Sequence, residues 1–517
     1  MNGPRKFLLI VTSLLTFAPL MFSSATNIYI TQDGSSQGAC TASPHNAAWF
    51  NSSSNWGGGT SQIGPGTTVL LCGTISSTLT AQGSGASGSP VTILFDTGAS
   101  ITTTCNGGSC LAVTNKSYVI VDGGVPCGWI NQVLVPCNGT VQSSAAQPSG
   151  SQFGIDASSC SNCEFRNLNI GPIYTKSSGG NEPVGDIRGI QTLPSSGNGT
   201  WLIHNNIIHD TSSAIVYVPN GSNDNGFQAY NNVTYNINSS VDISNNNNGT
   251  LTAASIHDNH FGATGNWDNS GCPDHHNSLH AFAYTTTNSG IDYYNNLIDG
   301  DWGNCPTSGL FIEGNGSVNQ NVRVFNNLWL MTYQQENNGI VSITAGGYVR
   351  FYNNTVIGAN SSDTCVGVTG NAGATVYIEN NIISNCTTLF APSSLTGYTT
   401  VDNNIYGGNN TNPWTDQSIP AWYPTLALWQ AHCKCDTHSS YGASASWVKV
   451  NSGGTLEAGS PAIAEGADLT SLSIPALDSD IAGIGRPGGS SPWDAGAYDS
   501  TTNPPPAPPT GLAAQVQ

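Results

Sequence analysis

Residues 349–356 read Val349-Arg-Phe-Tyr-Asn-Asn-Thr-Val356, and residues 376–383 repeat this order as Val376-Tyr-Ile-Glu-Asn-Asn-Ile-Ile383. In both stretches apolar side chains alternate with larger polar or aromatic ones before a pair of asparagines, which is typical of a β-strand with one buried face. Asn suits a turn because it tolerates left-handed backbone. Each stretch therefore predicts a short strand, an asparagine turn and a second short strand.

The asparagine pair recurs at short intervals along the chain. The pairs, with Asp258 standing in for the first Asn of one of them, are Asn205-Asn206, Asn231-Asn232, Asp258-Asn259, Asn295-Asn296, Asn326-Asn327, Asn353-Asn354, Asn380-Asn381 and Asn403-Asn404. Successive pairs are 26, 27, 37, 31, 27, 27 and 23 residues apart. This period predicts a solenoid, in which each coil buries its apolar face by stacking on its neighbours and the asparagines form a ladder. A β-propeller would have a longer period, about 40 to 50 residues.

The composition indicates an all-β chain with a polar but weakly charged surface. The chain has 61 Gly and 27 Pro among 517 residues, and 8% of its residues are charged, whereas about 25% is usual for a soluble domain. Long surface helices built from Glu, Lys and Arg are therefore excluded. The net charge of -19, with only 11 Lys and Arg, excludes a nucleic-acid partner, which requires a basic surface.

The N-terminal segment predicts secretion. A basic pair, Arg5-Lys6, precedes the apolar run 7–22. Small residues follow as a cleavage site at Ser23-Ser-Ala25, so residues 1–25 are predicted to be a signal peptide. The run is too short for an uncleaved anchor and contains Pro19. No other segment is apolar enough to be a transmembrane segment.

The remaining chain is predicted to be one domain with a tail. Residues 26–500 are expected to form the solenoid, interrupted by an insertion at 411–450. This insertion contains the one convincing short helix, Thr425-Leu-Ala-Leu-Trp-Gln-Ala-His-Cys433. Residues 501–517 are a Pro-rich tail.

Fourteen cysteines in a chain with a secretory signal predict disulfides. Proximity in the sequence pairs them as Cys40 with Cys72, Cys105 with Cys110, Cys127 with Cys137, Cys160 with Cys163, Cys272 with Cys305, Cys365 with Cys386, and Cys433 with Cys435. The Cys160-x-x-Cys163 spacing also fits a redox or zinc motif, but we interpret it as a local disulfide. An extracellular or cell-surface location follows.

Both ends of the predicted solenoid resemble a known group of proteins. Segments similar to the opening strand and turns of the pectate-lyase-like superfamily are Asn27-Ile-Tyr-Ile-Thr-Gln-Asp-Gly34, Ile63-Gly-Pro-Gly-Thr-Thr-Val69 and Gly88-Ser-Pro-Val-Thr-Ile93. Segments similar to its closing turns are Gly459-Ser-Pro-Ala-Ile463, Asp480, Gly485-Arg-Pro487 and Trp493-Asp-Ala-Gly-Ala-Tyr498. The resemblance implies a single right-handed parallel β-helix with coils of 23 to 37 residues. Because such motifs recur in lyases, hydrolases and surface proteins, they do not select a function.

One coil contains most of the side chains suited to catalysis. The step from Asp258 to Asn295 is longer than its neighbours, and its extra loop reads Trp267-Asp-Asn-Ser-Gly-Cys-Pro-Asp-His-His-Asn-Ser-Leu-His280. Five of the ten His lie between positions 257 and 280. In a β-helix the outward side chains of one sheet, flanked by long loops, form a groove suited to a polymer. We expect the functional site in this groove.

The next coil adds a carboxylate. If Ser278-Leu-His-Ala-Phe282 stacks on Gly309-Leu-Phe-Ile-Glu313, the leucines of both strands point inward. Alternation along each strand then turns His280 and Glu313 outward onto one face.

Glycoside hydrolysis requires two carboxyl groups, one acting as an acid. The carboxylates near this loop are Asp274, Asp299, Asp301 and Glu313. We expect Glu313 and Asp274 to be the acid and base. His280 or His276 would relay a proton, because a free imidazole titrates near neutrality. The side chains expected to bind the sugar are Trp267, His275, Trp302 and Arg188.

A lyase is the second chemistry. Elimination at a uronate requires a base and a cation, and many members of the superfamily use Lys or Arg with Ca²⁺. The scarcity of Lys and Arg makes this less favoured than hydrolysis. A His base with Ca²⁺ on Asp299, Asp301 and Glu313 is the form it would take here, whereas hydrolysis requires no cofactor.

A transition-metal site is the third chemistry, with His257-x-x-His260, Asp274-His-His276 and His280 as ligands. Adjacent His on a strand point to opposite faces, so the loop would have to fold back. The same loop residues could instead serve only to order the loop through hydrogen bonds.

Two classes of function remain. The first is a secreted enzyme that cleaves a polysaccharide, as a glycoside hydrolase or a lyase. The second is a non-catalytic extracellular protein that binds glycans or forms a surface. The expected partner is a polysaccharide in either case, and the chain is expected to be a monomer.

Overall fold

The computed structural model describes residues 27–500 apart from a set of short segments. The segments outside the described part are 106–107, 146–149, 177–184, 193–198, 220–222, 225, 246–249, 252, 265–266, 269–275, 284–289, 306–307, 315–319, 334–338, 360–363, 396, 420 and 490. The predicted signal peptide and Pro-rich tail also lie outside the described residues.

The chain forms a parallel β-helix in which three parallel sheets enclose one apolar interior. Each central coil passes from the first sheet through the asparagine turn into the second sheet, and then through a corner to the third sheet. Four long strands bend around a corner and so belong to two sheets. These are Ile207–Tyr217, Val233–Asn245, Val341–Tyr352 and Thr364–Glu379.

The first sheet precedes the asparagine turns. Its strands are Asn27–Thr31, Thr68–Leu71, Val91–Phe95, Val119–Asp122, Cys163–Arg166, Trp201–His204, Phe227–Tyr230, Ala254–His257, Ile291–Tyr294, Gln320–Phe325, the ends of Val341–Tyr352 and Thr364–Glu379, and Tyr398–Asp402.

The second sheet follows the turns. Its strands are Thr74–Ile75, Ser100–Thr103, Gly139–Ser143, Leu168–Ile170, the beginnings of Ile207–Tyr217 and Val233–Asn245, His260–Phe261, Leu297–Asp301, Leu328–Tyr333, Thr355–Ile357, Ile382–Ser384, Ile405–Gly407 and Ser440–Gly442.

The third sheet completes each coil. Its strands are Leu79–Thr80, Ser109–Ala112, Gln152–Asp156, Ile187–Thr192, the ends of Ile207–Tyr217 and Val233–Asn245, Asn277–Ala283, Leu310–Gly314, the beginnings of Val341–Tyr352 and Thr364–Glu379, Thr388–Phe390 and Trp414–Asp416. This arrangement confirms the predicted all-β parallel β-helix.

The two asparagines of each turn have different tasks. The first has left-handed backbone, as at Asn295 with φ of 54°. The second is fully buried and forms the ladder: the side-chain amide of Asn259 donates to Oδ1 of Asn296 at 3.0 Å, and that of Asn296 donates to Oδ1 of Asn327 at 2.9 Å. The same oxygen accepts the backbone N–H of the preceding ladder asparagine, so the buried amides satisfy one another.

The C-terminal part of the chain packs along the outside of the turns. The side-chain amide of Asn380 donates to the carbonyl of Ala467 at 2.8 Å, and that of Asn353 donates to the carbonyl of Asp494 at 3.0 Å. Arg486 is buried among carbonyls and donates to Oδ1 of Asn326 at 3.1 Å. The segment 465–499 is therefore a clamp on the outer edge of the solenoid, and it contains three of the closing motifs noted above, Asp480, Gly485–Pro487 and Trp493–Tyr498.

Short elements complete the ends. They are the strands His45–Asn46, Gly128–Ile130, Val133–Val135, Asn223–Asp224, Thr250–Leu251 and Ala421–Tyr423, the helices Ala47–Phe50 and Leu426–Cys433, and the 3₁₀ turns Ser53–Asn55, Ala445–Val448 and Thr470–Leu472. Thr425 caps the longer helix, because its side chain accepts the N–H of Leu428. This helix lies where the sequence predicts it.

The disulfides follow the order of the cysteines. The pairs present are Cys40–Cys72, Cys105–Cys110, Cys127–Cys137, Cys160–Cys163, Cys365–Cys386 and Cys433–Cys435. These six predicted pairs are confirmed. Cys305 is also disulfide-bonded, and Cys272, its predicted partner, lies outside the described residues.

Candidate functional site

The outer face of the third sheet brings His280 and Glu313 together. In the parallel pair formed by their strands, Leu279 lies opposite Leu310, and both leucines are fully buried. Because side chains alternate along a strand, His280 and Glu313 point outward. The predicted register of these two strands is confirmed.

His280 and Glu313 form a hydrogen-bonded pair at the surface. Nε2 of His280 lies 2.9 Å from Oε1 of Glu313, and the side chains are 24% and 26% exposed. The ring of Phe311 stacks on the imidazole with centroids 5.4 Å apart, and Phe282 lies at 6.0 Å. Either group can carry the proton between them, so the pair can give or take a proton at a solvent-accessible position.

Two polar side chains of the same face were missed by sequence reasoning. Asp242 lies directly opposite His280 on the preceding strand, and Gln191 lies in the same row two strands before Asp242. Asp242 and Glu313 thus lie on strands to either side of His280. The sequence contained the pattern that would have found Asp242. Val241 and Asp242 repeat the order of Leu279 and His280, in which an inward apolar residue precedes an outward polar one.

Arg188 lies on the same face, three strands before His280. Its guanidinium is 3.0 Å from the carboxylate of Asp186 and donates to Oε1 of Gln191 at 2.6 Å. It also packs over the ring of Phe153, 5.9 Å from the centroid. Arg188, which the sequence predicts to bind substrate, therefore lies on the same face as His280 and is paired there with Asp186 and Gln191.

Long corner loops border this face on one side. Lys176 is buried, and its ammonium donates to the backbone carbonyls of Trp267 at 3.0 Å and Asp268 at 3.2 Å. It also lies 5.6 Å from the Trp267 ring centroid. Lys176 therefore ties the corner loop of one coil to the loop of the coil three turns further along.

His276 packs beneath these corner loops, and its side chain does not reach the surface. The fully buried imidazole lies 2.6 Å from Oδ1 of Asn238 and 3.2 Å from Oδ1 of Asp268. Burial opposes ionisation of Asp268, but hydrogen bonds from His276 and from the backbone of Asn304 and Cys305 outweigh it and keep the pKa of Asp268 below its usual value. Of the two imidazoles expected to relay a proton, only His280 is open to a substrate.

Trp267 and Trp302 are not sugar platforms. Both rings belong to the apolar core, with 1% and 0% of the residue exposed. The indole N–H of Trp302 donates to the carbonyl of Asp299 at 2.9 Å. The prediction that these two rings bind sugar was wrong. The loops place their large apolar side chains in the core, where burial is favourable.

Asp299 and Asp301 lie on a different sheet from Glu313. Asp299 is on the second sheet, where Oδ1 lies 2.8 Å from Nε2 of His260. Asp301 ends the same strand and accepts the N–H of Gly303 at 2.9 Å. A Ca²⁺ site formed by these two carboxylates with Glu313 is therefore wrong, because the three lie on two different sheets.

The predicted transition-metal ligands His257 and His260 also lie on different sheets. His257 belongs to the first sheet, where its ring stacks between Tyr230 at 5.1 Å and Tyr294 at 4.7 Å, whereas His260 belongs to the second sheet and packs against Trp129. Among the described residues, no three His, Cys, Asp or Glu side chains are arranged to hold a metal ion. Asp274 and His275 lie outside the described residues.

Comparison with known proteins finds no matching family model and no curated protein of similar sequence. No described helix is long and apolar enough to cross a membrane.

Proposed function

We propose that this chain is a secreted carbohydrate-active protein of the pectate-lyase-like superfamily that binds a polysaccharide along the outer face of the third sheet and hydrolyses it at His280 and Glu313. The disulfides and the predicted signal peptide support secretion. The exposed, hydrogen-bonded His280–Glu313 pair is the observation that carries the catalytic part of the proposal.

The arrangement of side chains suits an extended ligand. Row neighbours on successive strands are about 4.8 Å apart. The row runs from Gln191 through Val216 to Asp242 and His280, so Asp242 and His280 offer two adjacent polar contacts. Phe282 and Phe311 add aromatic surface beside them. With a net charge of -19, the protein favours a neutral chain over a densely anionic one.

The proposed hydrolysis uses the proton held between His280 and Glu313. This proton passes to the glycosidic oxygen as its bond to the sugar carbon breaks. A second carboxylate directs water to that carbon, and Asp242, on the other side of His280, is the described candidate. Asp274, the partner that the sequence predicts, is the competing assignment.

Elimination is the alternative, and Arg188 is the observation that favours it. A guanidinium three strands away on the same face would contact one carboxylate of a uronate chain, while His280 would remove a proton from another residue of that chain.

The test is digestion of neutral and uronic polysaccharides by the purified protein and by Glu313→Gln and His280→Ala. We expect each change to lower the cleavage rate by about 10²–10⁴-fold, with folding checked by thermal unfolding. Glu457→Gln, which changes an exposed carboxylate elsewhere, is the matched control.

The products separate the alternatives. New reducing ends without ultraviolet absorbance indicate hydrolysis, and absorbance from an unsaturated uronate indicates elimination. Binding without cleavage indicates a non-catalytic glycan-binding protein. Absence of both binding and cleavage, or full activity in both variants, would refute the assignment to this face.

A further inference from the structure

Two carboxylates lie next to each other on the outer face of the first sheet, away from the His280–Glu313 pair. Glu379 lies opposite Asp402 in the parallel pairing of their strands, and Tyr352 lies opposite Glu379 on its other side. Adjacent strands are about 4.8 Å apart. Tyr352, Glu379 and Asp402 therefore form a row across three strands.

Asp402 is held in place by His438. Its carboxylate accepts the backbone N–H of His438 at 2.7 Å and lies 2.6 Å from the Nδ1 of the same residue. The hydrogen bond and the charge of Asp402 raise the pKa of His438. The imidazole, which is 72% exposed, fixes the orientation of the Asp402 carboxylate.

Glu379 differs from Asp402 in its hydrogen bonding. Its carboxyl group has no hydrogen-bond partner among the described residues. Burial, followed by the negative charge of Asp402, raises the pKa of Glu379 to about 7. Near neutral pH, Glu379 therefore retains a proton in much of the population, as a catalytic acid requires.

A buried hydroxyl completes the row. Tyr352 is 1% exposed, and its hydroxyl has no hydrogen-bond partner in the part of the chain that the structure describes. Burial and the charge of Glu379 raise the pKa of Tyr352, and Arg350, Tyr348 and Tyr377 are the other charged or titratable groups around it. The phenol therefore stays protonated beside Glu379 and can donate a hydrogen bond at that position.

We propose that Glu379 and Asp402 form a second acid–base centre, which hydrolyses a glycoside with retention of configuration at the anomeric carbon. Neighbouring positions on adjacent strands match the carboxyl separation of about 5–5.5 Å that this reaction uses. The centre is separate from the function proposed for the third sheet and does not depend on it.

The reaction balances in two steps. Glu379 gives its proton to the glycosidic oxygen as the carbon–oxygen bond breaks, the alcohol leaves, and the Asp402 carboxylate forms an ester with the anomeric carbon. Glu379, now ionised, takes a proton from water, whose oxygen attacks that carbon and releases Asp402. The net change is one glycoside and one water converted to a free sugar and an alcohol.

The experiment uses a panel of aryl glycosides of common neutral sugars, incubated with the full chain. We expect Glu379→Gln and Asp402→Asn each to lower the release of phenol by at least about 100-fold, while Glu457→Gln, which changes an exposed carboxylate elsewhere, retains the rate of the parent protein. A 2-deoxy-2-fluoro glycoside should add its sugar mass to the peptide containing Asp402 in the parent protein.

Three results would overturn the proposal: no aryl glycoside hydrolysed by the parent protein, rates unchanged in both Glu379→Gln and Asp402→Asn, or labelling of a peptide without Asp402. If the variants do not fold, the pH profile of the parent protein replaces them. A rate that does not fall as pH rises through about 7 contradicts Glu379 as the acid. Polysaccharide cleavage that depends on Glu313 does not bear on the tests of Glu379 and Asp402. The two proposals can therefore be contradicted independently.

Discussion

Carboxylates of the same kind have different tasks because their surroundings differ. Glu313 is hydrogen-bonded to His280 at the surface. Asp436 is fully buried, and burial raises its pKa although it accepts hydrogen bonds from Trp429 and Ser439. Glu379 is partly buried without a hydrogen-bond partner among the described residues, so it is the group whose ionisation should matter most near neutral pH.

Glu379 should make stability depend on pH. Its pKa in the folded protein, about 7, lies above the unfolded value near 4.5, so the folded state binds the proton more tightly between these values. Stability should therefore fall as pH rises from about 4.5 to 7, by about 1–3 kcal/mol after allowance for partial exposure. Denaturant unfolding at pH 5 and pH 8 should show a smaller loss in Glu379→Gln than in the parent protein. The same loss in both proteins would contradict this.

Trp302 should matter for stability and not for binding. Because its ring is fully buried, Trp302→Ala should lower the free energy of unfolding by about 3–5 kcal/mol. Trp302→Phe, which keeps a ring in the core, should be milder. Glycan affinity measured by calorimetry on folded Trp302→Phe should match that of the parent protein, and a large loss of affinity would restore the sugar-platform role.

At the scale of elements, the asparagine turn is the unit that sets the register of the coils. The ladder asparagine satisfies its neighbours above and below, whereas the first asparagine supplies the left-handed backbone and, in the coils that the clamp covers, hydrogen bonds to the clamp. Oδ1 of Asn295, for example, is buried without a hydrogen-bond partner among the described residues. The two members of a pair should therefore respond differently to substitution.

Asn296→Ala should destabilise the protein by about 2–4 kcal/mol, because it leaves the backbone N–H and side-chain amide of Asn259 without their acceptor. Asn295→Gly is the matched control, since glycine adopts left-handed backbone without strain. Its effect should stay within about 0.5 kcal/mol. Chemical denaturation of both variants measures the difference, and equal effects would show that the ladder is not the stabilising part.

At the scale of the whole molecule, the clamp 465–499 connects distant coils. Buried Arg486 donates to Asn326 and to the carbonyl of Gly496, and burial lowers its pKa to about 10 although Asp480, Asp494 and Asp499 favour its charge. A buried cation surrounded by carboxylates is costly to remove, because its partners are then uncompensated.

Arg486→Met should therefore lower the free energy of local unfolding of the clamp by about 3–5 kcal/mol. Hydrogen exchange should increase in 465–499 before it increases in the core strands. Arg323→Met is the control, because Arg323 pairs with Asp292 at a partly exposed position and its loss should cost about 1 kcal/mol or less. Uniform exchange throughout the chain would contradict a local role for Arg486.

The sequence by itself determined the solenoid, the asparagine turns, six disulfide pairs and the outward face that His280 and Glu313 share. The disulfides followed from proximity along the chain. The other features depend on local periodicity, because a strand alternates every two residues and the asparagine pair marks where each coil turns. Once the coils are aligned, inward and outward positions follow, and Asp242 could have been found in the same way.

Only the tertiary structure decided where the loop residues lie. Nothing in the order of residues 262–305 shows that Trp267 and Trp302 turn into the core, that His276 is held beneath the surface, or that Asp299 faces a different sheet from Glu313. A loop has no fixed period, so burial of its apolar groups and pairing of its polar groups set its path. The row of Tyr352, Glu379 and Asp402 likewise depends on stacking of three coils, which brings together residues that are 27 and 23 positions apart along the chain.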